Sequence, residues 1–283
     1  VRTASRQGKS GYIWHTTGSG KTMTSYKAAR NLLIDIPSIE KTIFLIDRKD
    51  LDDQTTQAFQ SYANNDVVDV DETDNVFDLI NKLKNQNQQV IVTTIQKLGI
   101  ALDPENRKNY QEELEDLRDE RIVFIFDECH RSQFGDNHKA IKDFFPKAQL
   151  FGFTGTPIFD KNATYVQATG EEGHYKTTVD IFQKELHSYT ITNAIDDKNV
   201  LRFHIDYFKP DENVIQVVGG KMKKQAVVDA ILNKHRAATN DMRFNALFAT
   251  SSINEAIEYY NLFKTEQNKR AEEDENYVKL NIA

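Results

Sequence analysis

The sequence predicts an α/β protein, a parallel sheet with helices on both faces, followed by part of a second unit of the same kind. Two observations carry this. Short β-branched or aromatic runs alternate with longer amphipathic ones, the pattern of a sheet wrapped by helices. In addition, the segment Thr17-Gly18-Ser19-Gly20-Lys21-Thr22 stands directly after a strand-like run and directly before an amphipathic one, so it demands a strand–loop–helix unit.

Taken in order, the strands are expected at Tyr12–His15, Thr42–Asp47, Val90–Thr94, Ile122–Asp127 and Leu150–Thr154. Each is followed by a polar or glycine-bearing loop that opens at the carboxyl edge of the sheet, where ligands of such folds bind. Helices are expected at Thr22–Ile34, Asp50–Tyr62, Val76–Asn85, Tyr110–Arg118 and Asn137–Phe145. Polar character and two glycines mark 162–178 as an exposed excursion. The first domain is assigned residues 1–190 and a partial second domain 191–283. In the latter, strands are expected at Val200–Phe208, Asn245–Thr250 and Tyr277–Ala283, with helices at Met222–Ala238 and Asn254–Lys269.

The bulk numbers bound the function. A chain of 283 residues with 39 % hydrophobic content can bury a sizeable core. A formal net charge of −7 excludes a surface that is basic all over, but local loops, helix N-termini and a few Lys/Arg can still hold phosphates. The lone cysteine, Cys129, excludes an internal disulfide and a multi-cysteine metal site. No apolar run approaches the ~20 residues of a membrane helix and no leader-like segment opens the chain, so no membrane partner and a cytoplasmic location are expected. Because it starts at Val1 and stops inside a strand-like run, the chain reads as a piece of a longer protein.

The chemistry is concentrated in two segments. In Thr17–Thr22, glycines let successive backbone N–H groups curl around phosphate oxygens, and the helix N-terminus adds positive potential. Lys21 reaches the outer phosphates, and the Thr22 hydroxyl is placed to ligate magnesium. The strict pattern wants glycine five residues before Gly20, and His15 stands there instead. The second segment, Phe124-Ile125-Phe126-Asp127-Glu128-Cys129-His130, is an apolar strand ending in adjacent carboxylates. Asp127 is expected to support the metal through water and Glu128 to deprotonate the water that attacks the γ-phosphate. Cys129 has no base-orienter pair beside it and is expected to be a small half-buried filler, whereas the position of His130 suggests coupling to the catalytic pair.

With those residues in view, the chain resembles the superfamily 2 helicase-like motors, and within them the restriction (motor) subunit of type I restriction-modification enzymes. Thr16–Thr22 resembles motif I, Asp127-Glu128-Cys129-His130 the DEAH-type motif II, and Thr154-Gly155-Thr156-Pro157 motif III, which links nucleotide state to track binding. His15-Thr16-Thr17, Asp47-Arg48-Lys49-Asp50-Leu51, His130-Arg131-Ser132-Gln133 and Leu186-His187-Ser188-Tyr189-Thr190-Ile191 are similar to the type I subunits in particular. The resemblance implies two RecA-like domains, ATP with Mg2+ as cofactors, double-stranded DNA as the track, and methyltransferase and specificity subunits as partners. It also implies nucleic-acid contacts at Arg48, Lys49 and Gln54 and at Thr94 and Gln96, and coupling roles for His130, Thr154, Gly155 and Thr156. Ala246–Ser251 resembles motif IV.

Two departures go with the resemblance. No Gly-Arg-x-x-Arg segment, the source of the second-domain arginines, precedes Ala283, and no nuclease-type carboxylate pair with lysine is found. The fragment is therefore expected to bind Mg-ATP and turn it over weakly. A strand-separating helicase and a nucleotide-dependent clamp remain the alternative readings, and Glu128 speaks against the clamp, which needs no water-activating base.

Overall fold

In the computed structural model of the chain, the residues described are 1–46, 57–63, 70–129, 134–166, 172–174, 176–205 and 224–282. They divide into two compact units, Val1–Phe203 and His204–Ala283.

The first unit opens with α1 (Arg2–Arg6), β1 (Gly11–His15), α2 (Lys21–Asp35) and β2 (Lys41–Ile46). Helical residues 57–63 (α3), β3 (Val70–Glu72), α4 (Val76–Lys84), β4 (Val90–Thr94) and α5 (Ile95–Ala101) follow. Next come α6 (Tyr110–Glu113), β5 (Ile122–Phe126), α7 (Phe134–Phe144) and β6 (Gln149–Thr154). The unit closes with the β7 (Thr164–Val166) and β8 (Glu172–His174) hairpin, α8 (Thr178–Phe182), β9 (Glu185–Tyr189) and α9 (Ile191–Asp196). Seven strands form one sheet in the order β3-β4-β2-β5-β6-β1-β9, every pair parallel.

Parallel strands are covered on both faces, so their residues are apolar without interruption. All residues of β2, β4, β5 and β6 are buried. Alternation of side chains then sends Ile43, Leu45, Phe124 and Phe126 to one core, shared with Leu79, Leu83, Leu98 and Phe145. Phe44, Ile46, Val123 and Ile125 go to the other, with Tyr26, Ala29, Leu32 and Phe59. Each such side chain contributes about 1.5–3 kcal/mol relative to exposure.

The five expected strands of the first unit are all present, the boundaries moving by one residue, and Asp47 lies outside the described residues. Tyr110–Arg118 is shorter than expected: α6 ends at Glu113 and a 3-10 turn, Glu115–Leu117, follows. The excursion at 162–178 contains the β7–β8 hairpin, and α1, β3, α5, α8, β9 and α9 were not anticipated.

The second unit carries α10 (Lys224–Ala238) and α11 (Ile253–Glu273), both close to expectation. They are joined by Arg270, which binds Asp229 at 3.1 Å and Asn233 at 2.7 Å, and by burial of Val228 and Phe263. The expected strands are a correction. Residues 200–205, 245–250 and 277–282 have no ladder, and no strand occurs among the described residues of this unit. A strand exists only through hydrogen bonds to a neighbour; here the apolar residues that suggested one stay in water, Leu247 fully and Val278 at 61 % exposure.

Candidate nucleotide site

β1, β6 and β5 are adjacent in the sheet, so the segments after their carboxyl ends share one edge. The loop after β1 holds Gly18 and Gly20, each at φ +79°, a left-handed conformation that glycine adopts without strain. A Cβ built on either would meet nothing within 4 Å, so the loop offers an open cradle. Thr17, Gly18 and Gly20 are exposed and Ser19 is half-buried, its hydroxyl donating to the Thr16 carbonyl at 2.6 Å. Gly20 is the N-cap of α2 and supplies no side-chain cap, and no acidic residue occupies the first turn. The end of a 15-residue helix thus presents N–H groups and positive potential with no acidic residue of its own first turn to offset them, which suits phosphate.

Lys21 and Thr22 begin that helix half-buried, and Lys21 Nζ lies 3.3 Å from Glu128 Oε1. The motif II turn is pinned on both sides: Asp127 N–H donates to the Leu45 carbonyl at 3.0 Å and Cys129 N–H to the Phe153 carbonyl at 3.1 Å. Glu128 between them sits at φ +47°, unusual for a side chain-bearing residue, and its N–H donates to Asp127 Oδ1 at 3.0 Å. Burial first, then the Glu128 charge, raise the Asp127 carboxyl to about 6, while Lys21 and the Glu128 N–H pull the other way. Cys129 is buried rather than half-buried, and burial pushes its thiol well above the ordinary value, so it is an inert filler.

After β6, Thr154 is fully buried and its Oγ1 accepts from Thr156 N–H at 3.0 Å. Gly155 is fixed against the phosphate loop: its carbonyl accepts from Trp14 Nε1 at 3.1 Å. A Cβ at Gly155 would stand 3.3 Å from the His15 carbonyl and 3.7 Å from both Lys21 Nζ and Thr17 N, so a larger residue would crowd the cradle.

The structure thus gathers Thr17–Thr22, Asp127, Glu128 and Thr154–Thr156. Thr94 ends β4 at the same sheet edge, where its side chain accepts from Lys97 N–H at 3.3 Å and caps α5, with Gln96 exposed in the first turn. Arg48, Lys49, Gln54 and His130 lie outside the described residues. What sequence reasoning missed is the partner of His15: its Nε2 lies 2.8 Å from His187 Nδ1 on β9. The available signal was a histidine in a glycine position.

No cluster of three or more His, Cys, Asp or Glu side chains suited to a metal occurs among the described residues. Magnesium takes one or two protein oxygens and completes its shell with water and phosphate; the Thr22 hydroxyl and the Asp127 carboxylate are donors of the kind it would use.

Fold and site together define a phosphate-loop ATPase of the helicase-like type. The sequence profile of the SWI2/SNF2 ATPase family matches residues 1–245, and the chain belongs to that family. It is 39 % identical over 288 aligned residues to the type I restriction enzyme SauMSSORF170P endonuclease subunit of Staphylococcus aureus, covering 96 % of this chain and 29 % of that protein. It is 31 % identical over 207 residues to the type I restriction enzyme HindI endonuclease subunit of Haemophilus influenzae, covering 66 % of this chain and 17 % of that one. The chain therefore spans about three-tenths of the length of the Staphylococcus aureus relatives it matches. Among solved structures, it is similar to a nuclease-deletion mutant of the Type ISP restriction-modification enzyme LlaGI in complex with a DNA substrate mimic. There the TM-score is 0.47 and the identity 17 %, with 86 % of this chain and 22 % of that one covered. None of the described helices is long and apolar enough to cross a membrane.

Proposed function

We propose that this chain is the ATP-hydrolysing motor portion of a type I restriction endonuclease subunit, using Mg-ATP turnover to move double-stranded DNA, with cleavage carried by another part of the protein. The observation that carries the reading is the meeting of three motifs at one sheet edge, with Lys21 Nζ 3.3 Å from Glu128 Oε1. On this reading residues 1–190 are the first RecA-like domain and 191–283 part of a second.

The chemistry follows from the contacts. Gly18, Gly20 and the α2 N-terminus hold the phosphates while Thr17 and Ser19 shape the loop. Phosphate oxygens draw Lys21 from Glu128, and the released carboxylate takes a proton from the attacking water as its oxygen bonds to the γ-phosphorus and the β–γ bridging oxygen leaves with ADP. Bound magnesium, supported by Thr22 and Asp127, would neutralise charge on the outer phosphates. Gly155 borders the cradle just after β6 and, with Thr154, Thr156 and His130, reports its occupancy. Arg48, Lys49, Gln54, Thr94 and Gln96 contact the DNA backbone, with Thr94 setting the first turn of α5 that displays Gln96. Together with methyltransferase and specificity subunits, the protein forms a cytoplasmic complex.

Glu128→Gln tests the assignment. The variant should bind Mg-ATP within about 3-fold of the native chain, because the phosphate cradle is kept and the Lys21 ion pair lost with the proton acceptor is one that phosphate displaces in any case. In the whole subunit it should lose DNA-stimulated hydrolysis by about 100-fold or more. Undiminished hydrolysis would remove Glu128 from the reaction, and displacement of a duplex roadblock accompanied by strand separation would favour a helicase.

A further inference from the structure

The turnover scheme uses neither His15 nor His187, yet each is an oddity of the sequence. His15 occupies the glycine position of the phosphate-loop pattern, and His187 belongs to the edge strand β9. The two rings meet with Nε2 of His15 2.8 Å from Nδ1 of His187, centroids 5.0 Å apart in an edge-to-face arrangement. The adjacent backbone is joined as well, Thr16 N–H donating to the Tyr189 carbonyl at 2.9 Å.

The tautomer follows from burial. His15 is 9 % exposed, and its Nδ1 is buried with no hydrogen-bond partner among the described residues. A buried N–H without an acceptor costs more than a bare lone pair, so the proton belongs on Nε2, donated to His187 Nδ1. The groups facing His15 are His187 and Tyr189 from β9 and Lys21 from α2. None accepts a hydrogen from Nδ1.

We propose that His15 and His187 form a positioning pair that ties the root of the phosphate loop to the edge strand, in place of the glycine of the strict pattern, and that the tie holds while both rings are neutral. The effect on nucleotide rests on the ATP-site reading above. The His15 carbonyl abuts Gly155 and its chain leads directly into Thr16 and Thr17, so a shift of the ring moves the cradle. One further proton on the pair, whichever ring takes it, leaves a hydrogen on the buried His15 Nδ1. If His187 Nδ1 gains it, His15 must turn tautomer to accept; if His15 gains it, Nδ1 is protonated directly. Burial, then His187, then Lys21 keep the His15 imidazole below the ordinary histidine range. With the folded value lowered, the contribution of the neutral ring is present above about pH 6.5 and is lost as the pH falls through that lowered value.

The test is a cycle of His187→Ala, His15→Gly and the double variant, with His187→Asn as the conservative change, since Asn Oδ1 accepts where Nδ1 did. Titration calorimetry reads Mg-ATP affinity from pH 5.5 to 8. His187→Ala should weaken binding about 3- to 10-fold at pH 7.5, the value of one hydrogen bond. The double variant should be no weaker than the weaker single, and His187→Asn should keep the affinity at pH 7.5 and, with the His187 contribution gone, move the acid limb of His15 to higher pH. Independent, multiplying losses, or native affinity in His187→Ala, would overturn the pair. If the native chain binds no Mg-ATP, the ATP-site reading falls alone, and imidazole nitrogen–proton spectra decide the pair. A His15 Nε2 proton kept in His187→Asn and lost in His187→Ala supports it, and identical spectra in both refute it.

Discussion

Replacing Gly152 by alanine places a methyl group where three atoms already stand. The new Cβ would lie 2.6 Å from Cys129 Sγ, 3.0 Å from Phe182 Cζ and 3.1 Å from Cys129 Cβ. Contacts of 2.6 Å do not persist, and the core here is closed: Gly152 sits in β6 between β5 and β1, and Phe182 is fully buried against Phe126. Overpacking of this kind costs about 1–3 kcal/mol. At about 2 kcal/mol the melting midpoint of the first unit falls by roughly 4–8 °C. Cys129 is the residue that gives way, and it is covalently next to Glu128, so the Asp127–Glu128 turn moves with it. Cys129→Ala removes the worst contact and leaves two near 3 Å, so the double variant should recover more than half of the lost stability. The sole thiol of the chain supplies a second readout, because its buried sulfur should react slowly with a disulfide reagent in the native chain and measurably faster in Gly152→Ala. A Gly152→Ala chain with an unchanged midpoint and an unreactive thiol, or a double variant less stable than the single, would refute the steric account.

Other changes separate stability from nucleotide binding. Lys21→Ala should lower Mg-ATP affinity about 100-fold in calorimetry, because a charge-assisted contact to phosphate is lost, with little change in melting. Asp127→Asn concerns a carboxyl raised to about 6; the folded form holds its proton more tightly than the unfolded one, so its contribution is present below about pH 4 and lost as the pH rises through 6. The variant should therefore match the native chain in stability near pH 4, exceed it at pH 8 by on the order of 2 kcal/mol, and fail in turnover. Arg121→Ala, at the opposite edge of the sheet, removes bonds to Ser38 Oγ at 2.7 Å and Gln149 Oε1 at 2.9 Å and a bond to the Ser5 carbonyl. It should cost about 2 kcal/mol in denaturant melts and leave the Mg-ATP dissociation constant within 2-fold.

The first unit was legible because its signals are strong and local. Runs such as Ile122–Phe126 can only be strands covered on both faces, and glycines before Lys21-Thr22 declare both the turn and the helix after it. β9 was not legible. As an edge strand with Glu185, His187 and Ser188 exposed, it lacks the apolar run of its neighbours, and its existence depends on a register with β1 that no local pattern encodes. The His15–His187 contact was hidden for the same reason. Segment Asn245–Thr250 shows the reverse error, since Leu247 and Phe248 have strand-like composition but pairing is a property of two segments. Thr94 is a nucleic-acid contact by the family resemblance, and the structure shows its side chain capping α5; sequence alone does not divide those two uses of one hydroxyl.

The strand order gives a physical reason for treating the three motifs as one device. β6 lies between β5, which carries Asp127 and Glu128, and β1, which carries the phosphate loop. Through Cys129 N–H and the Phe153 carbonyl, β6 holds the Asp127–Glu128 turn; just after it, the Gly155 carbonyl and Trp14 Nε1 hold the strand beneath the loop. On the proposed reading, filling the cradle draws Lys21 off Glu128 on one side and presses toward Gly155 on the other, so both effects meet at the carboxyl end of a single buried strand. A close-packed strand cannot absorb such a shift within itself and passes it on to whatever follows Thr154–Thr156. On the motor reading, that is where nucleotide state becomes displacement along DNA. Gly155→Ala, which fills the gap to Thr17 and Lys21, should then reduce DNA-stimulated turnover more than it reduces Mg-ATP affinity, and an equal loss in both would confine Gly155 to the binding step.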